Sequence, residues 1–174
     1  MDASKAKENP SFLAYVYELT EGTTLPEALE LSLNELDNID VDQLKRIGLK
    51  TYDEGKWTIH QMLQHLIDWE RIWCFRAIIF ARAEGTIPVA HDQEVMGENS
   101  NANERSIEQL VAELLTVRQS SIMLFESFNK EILEINCQFF EYQMPLNAIG
   151  LTIAAHQIHH FNVIKERYAP LDSD

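Results

Sequence analysis

Apolar residues recur along this chain every three to four positions with few interruptions, and that pattern predicts helices almost throughout. Residues 11–20 (SFLAYVYELT) read equally well as a short helix or an extended lead-in. Thr24 is placed to cap a first long helix, with Pro26 in its first turn and Glu27 and Glu30 near the positive end of its dipole. Leu25, Ala28, Leu29, Leu31, Leu33 and Leu36 are expected to form its buried side, and it fades at Asp37 and Asn38. A short helical turn is expected over Val41–Ile47. The second long helix is the clearest. Thr58 and Gln61 fit a capping box, no Gly or Pro occurs over residues 58–84, and Gly85 stands where the helix should end. A third spans residues 105–130 on a stripe of Ile107, Leu110, Val111, Leu114, Val117, Ile122, Phe125 and Phe128. Pro145 stands at the first turn of a fourth, which runs to residue 168 before Pro170.

Between the second and third helices, residues 85–104 break the periodicity with Pro88, two glycines and several asparagines. A connection of that length reaches from one end of a bundle to the other, so the helices it joins are expected to run parallel. Residues 131–144 are mixed, and no span alternates cleanly enough to read as a strand. The expected architecture is all-α, a four-helix bundle with a long crossover between helices two and three, in one domain over residues 1–174.

Composition narrows the function more than the fold. An apolar fraction of 45% in 174 residues suffices for one packed core. The formal net charge of −14 repels phosphate backbones and anionic headgroups, so neither nucleic acid nor a membrane is an expected partner. No apolar run reaches membrane-spanning length, and the opening MDASKAKENP lacks the apolar stretch of a secretory signal. A soluble cytoplasmic protein is expected, with Cys74 and Cys137 as reduced thiols.

The chemistry lies in the histidines. His156 and His160 stand four apart on the fourth helix, ~40° apart around its axis and one turn apart along it, so both rings can point to one place. Taken alone, such a pair is explained as readily by two packed or surface histidines. Its neighbours Ile149, Ile153 and Val163 place it on an apolar face, and His65 shares a face of the second helix with Met62, Trp69, Ile72 and Ile79. Three imidazoles buried together need three hydrogen-bond partners, at a cost of ~1–3 kcal/mol for each group left unpaired, or one divalent cation. His65, His156 and His160 are therefore the expected metal ligands.

The remaining candidates fit less well. His60 is ~140° from His65 around the helix. His159 reads as a flanking group or an alternative fourth ligand, and His91 could approach from the long connection. Cys74 lies half a revolution from His65. Asp68 is a candidate to orient the His65 ring. Arg76 and Arg167 each stand eleven residues beyond a histidine and could hold an anionic substrate group. A structural ion pair with Asp68, Glu70 or a helix-three carboxylate is favoured for them. Gln157 follows His156, so the zincin motif is absent, and there is no Glu-x-x-His pair, phosphate loop or serine elbow.

Residues 52–71 (YDEGKWTIHQMLQHLIDWER) and 76–82 (RAIIFAR) resemble the first histidine helix of the DinB/YfiT-like metalloenzymes, and residues 155–168 (AHQIHHFNVIKERY) resemble the last helix of that family. The resemblance extends over residues 12–168. It implies the same four-helix bundle, often as a homodimer, and a divalent metal on His65, His156 and His160. Members include transferases and isomerases that use a low-molecular-weight thiol, so the resemblance implies a small-molecule substrate and a thiol transferase or hydrolase. Where many relatives carry Gly-His-Glu, this chain has Ala155, His156 and Gln157, and His91-Asp-Gln-Glu departs from the pattern after Pro88. Zinc, nickel, iron and manganese all suit three histidines. The alternative is a non-catalytic metal-binding helical dimer, a stress-related or partner-binding module.

Overall fold

A computed structural model describes residues 10–139 and 142–173. The four long helices are α2 (Leu25–Asp37), α4 (Ile59–Ala81), α6 (Ile107–Glu126) and α8 (Leu146–Val163). Shorter helices fill the intervals: α1 (Pro10–Leu19), α3 (Val41–Ile47), α5 (Gln93–Glu98) and α7 (Lys130–Leu133). The helix starts follow the caps in the sequence. Thr58 Oγ1 accepts from the Gln61 amide at 3.1 Å while the Gln61 side chain accepts from the Thr58 amide at 3.0 Å. Ser106 and Gln109 repeat the arrangement at α6. Asp40 accepts from the Gln43 amide at the start of α3.

The apolar stripes sort into two clusters. One gathers Leu25 and Leu29, Trp69 and Trp73, Ile122 and Phe125, and Leu146 and Ile149. The other gathers Leu36, Ile59 and Leu63, Leu110 and Leu114, and Phe161 and Ile164. The N-terminal halves of α4 and α6 thus share one end of the bundle, and their C-terminal halves share the other. These two helices run parallel, as a crossover of this length allows, and α2 and α8 run the opposite way. Gly150 permits close packing where α8 meets its neighbours. A Cβ there would stand 2.5 Å from Leu25 Cδ1 and 3.0 Å from Phe125 Cε1.

Between the clusters lies a polar waist. The Arg118 guanidinium on α6 donates Nε and Nη2 to the two Glu70 oxygens on α4, each at 2.9 Å, with side chains only 1% and 3% exposed. Arg118 Nη1 also donates to Ser32 Oγ on α2. The Ser32 carbonyl in turn accepts from Gln157 Nε2 on α8 at 2.7 Å. All four long helices join one hydrogen-bonded chain.

Three expectations need correction. Residues Asn136–Phe139 (β1) and Tyr142–Pro145 (β2) form an antiparallel hairpin where no strand was expected. Leu31 is 58% exposed, because Ser32 takes the inward position beside Arg118. The second and third helices end at Ala81 and Glu126, earlier than their periodicity indicates. Residues 10–19 are helical, which resolves the alternative left open for that lead-in. Among the described residues, no helix is long and apolar enough to cross a membrane.

Candidate metal centre

His65 stands on α4 and points into the waist, where α8 supplies His156 and His160 one turn apart. The rings converge. His156 Nε2 lies 2.9 Å from His65 Nε2 and 3.0 Å from His160 Nε2. One ligand atom from each of the three falls within 4.8 Å of the others. Nitrogens on a tetrahedral ion with bonds of ~2.1 Å stand roughly 3.4 Å apart, so the cluster has the dimensions to surround one cation. Neutral imidazoles also supply the right donors. His65 and His160 are buried and His156 is half-buried. Burial first, and then the other histidines, hold all three rings well below the ordinary 6.5, so each is neutral at pH 7.

Hydrogen bonding alone does not satisfy this cluster. A neutral ring nitrogen either donates one proton or accepts at one lone pair. His156 Nε2 faces two nitrogens at bonding distance, so at most one of the two contacts is a good hydrogen bond. A cation that accepts all three lone pairs removes that conflict.

The surroundings fix His65 and shield it. The Trp57 ring lies 4.7 Å from the His65 ring and the Trp69 ring 6.0 Å from it. Trp57 is held by the crossover, since a Cβ on Gly97 of α5 would come within 3.0 Å of its indole. A cleft beside His65 is lined by Gln64, Asp68, Trp69, Met96 and Ser100 among others, with a free volume of about 10 Å³, room for one water.

The other candidates have other partners. His60 Nδ1 contacts the Arg105 carbonyl at 2.9 Å, a satisfied core histidine. His159 Nδ1 contacts the Tyr15 hydroxyl at 2.9 Å, and its ring packs edge-on against His160. His91 meets the edge of Trp69. Cys74 bonds Ser121, and burial pushes its thiol up to about 11. Both cysteines are free thiols. Asp68 accepts from Gln64 Nε2 at 2.9 Å, with no bond to His65 among the described contacts. Arg167 is exposed. Arg76 is buried, stacks 4.7 Å from the Trp73 centroid and donates to the Val89 carbonyl of the crossover.

Glu70 belongs to Arg118, a residue the sequence reading passed over. The signal was present: Arg118 stands four residues after Leu114 and four before Ile122, on the buried stripe itself.

Fold and site together define a four-helix bundle with a three-histidine cluster at its waist. Residues 24–164 match the DinB superfamily, and the chain belongs to that family. Among solved structures it is similar to YfiT from Bacillus subtilis, with a TM-score of 0.61 at 20% identity, covering 88% of this chain and 83% of that one. YfiT is described as a probable metal-dependent hydrolase with an unusual four-helix bundle topology. No curated protein sequence matches the chain significantly.

Proposed function

We propose that the chain is a divalent-metal-dependent enzyme in which His65, His156 and His160 hold one ion and leave a coordination position open to a small substrate. The reading rests on one observation above all, the doubly engaged Nε2 of His156 between two other ring nitrogens. Three neutral histidines with an open fourth position are the donor set of catalytic rather than structural zinc. When bound, such an ion lowers the pKa of a water or a substrate thiol and makes it a nucleophile at neutral pH. The chain's own residues hold the geometry: Trp57 and Trp69 pack the His65 ring, and Tyr15 holds the flanking His159. Hydrolysis, the reaction class attributed to YfiT, and thiol transfer are the two reactions that fit. A homodimer belongs to the same reading, supported by Phe75 and Ile78 of α4 and Met123 of α6, which are large, apolar and exposed.

A second reading has an observation of its own. The ring of His159 packs edge-on against His160 with 5.0 Å between centroids, which favours a closed, non-catalytic metal site flanked by a fourth histidine. A low-molecular-weight thiol that binds the metal-loaded protein separates the two readings, because a closed site excludes it.

Intrinsic fluorescence reports the ion directly, since two of the three tryptophans pack against His65 and Trp73 packs at a tilt against Trp69. Nickel added to tag-free protein quenches the emission saturably, with one ion per chain. Protons compete only for a ring they can occupy, and a depressed pKa moves that competition to lower pH. Affinity therefore stays level as the pH falls to about 6.5 and declines only below it. No quenching, or a decline that begins well above 6.5, removes the proposal.

A further inference from the structure

Trp69 is 7% exposed, and its indole Nε1 is fully buried without a hydrogen-bond partner. That is unusual, because a buried tryptophan N–H ordinarily finds an acceptor and an unpaired donor costs ~1–3 kcal/mol. The ring is held on several sides. It lies 6.0 Å from the His65 ring, 5.9 Å from Trp73 and 6.4 Å from His91, with the Arg76 guanidinium 5.6 Å from its centroid. It also lines the cleft beside His65, under α5 of the crossover.

We infer that the Trp69 indole N–H is a substrate-binding donor, reserved for an acceptor oxygen of a small carbonyl or carboxylate compound bound at the metal. The inference rests on the proposed metal site and adds to it the chemical class of ligand. A buried donor without a protein acceptor gains a full hydrogen bond when a ligand oxygen reaches it. The His65 and Trp69 rings pack with 6.0 Å between centroids, so an acceptor atom of a ligand held beside His65 lies within a few ångströms of the Trp69 ring. The nearby guanidinium of Arg76 makes the surroundings of that oxygen more favourable to negative charge. The bulk of the ring supports His65, while the N–H serves the ligand, so Trp69→Phe separates the two roles.

The test uses zinc-loaded, tag-free protein and acetohydroxamate as probe, followed by the indole N–H signals in a ¹⁵N-correlated NMR spectrum. Three such signals are expected, one for each tryptophan. The signal missing from Trp69→Phe moves downfield on saturation with acetohydroxamate, and Trp69→Phe binds the probe about tenfold more weakly with unchanged zinc content. The inference is overturned if zinc-loaded protein fails to bind the probe. It is equally overturned if the probe binds while the Trp69 signal stays still and Trp69→Phe keeps full affinity. Failure to take up zinc would instead overturn the metal site itself, a separate result from the same samples.

Discussion

His65→Ala and His160→Ala each lose stoichiometric divalent metal, with affinity lower by about a thousandfold or more, while the bundle stays folded. The size follows from ligand count. Structural zinc on four ligands is held by ~10–16 kcal/mol, so one ligand in three or four accounts for several kcal/mol. Folding survives because both rings sit at the polar waist, between two apolar clusters that do not include them. Removing one ring also relieves the crowded contacts at His156 Nε2. The check is metal content after dialysis, beside the helical circular dichroism of the same samples. Full occupancy in both variants would remove these residues as ligands. His60→Ala serves as a control and keeps its metal, because His60 is engaged with the Arg105 carbonyl.

Arg118→Ala lowers stability by about 3–5 kcal/mol, the largest loss expected of any single polar residue in the chain. Glu70 is then left buried with its charge uncompensated, and Ser32 loses the guanidinium that links α2 to α6. The effect is specific to breaking the pair. Removing both charges with Glu70→Leu and Arg118→Met together costs far less, since two apolar side chains of similar volume fill the same space. Urea unfolding of the two variants measures this. A single variant that unfolds within about 1 kcal/mol of the parent would show that the ion pair contributes little.

The parts of the fold legible in the sequence are those governed by repetition. The α4 cap at Thr58 and Gln61, the buried stripe of α6 and the parallel run of α4 and α6 all follow from periodicity, capping chemistry and connection length. So does the meeting of His65 with His156 and His160, which needed only two helical faces turned toward each other. What stayed hidden depends on contacts between distant residues. Periodicity by residue type placed Leu31 inside and passed over Ser32 and Arg118, although the latter two occupy core-facing positions. Their burial becomes sensible only once Glu70 is known to face them. The hairpin escaped notice because strands of four residues are too short to show alternation. Asp68 lies within a turn of His65, yet Gln64 holds its carboxylate, a choice that helical spacing does not decide.

The central claim is that three imidazoles from two helices surround a single cation. X-ray absorption at the zinc edge of tag-free, zinc-loaded protein tests it most directly. The account predicts one ion per chain with three imidazole nitrogens at about 2.0–2.1 Å and one oxygen donor completing the shell. A shell containing sulfur, a shell of oxygen alone, or protein that retains no zinc would contradict it.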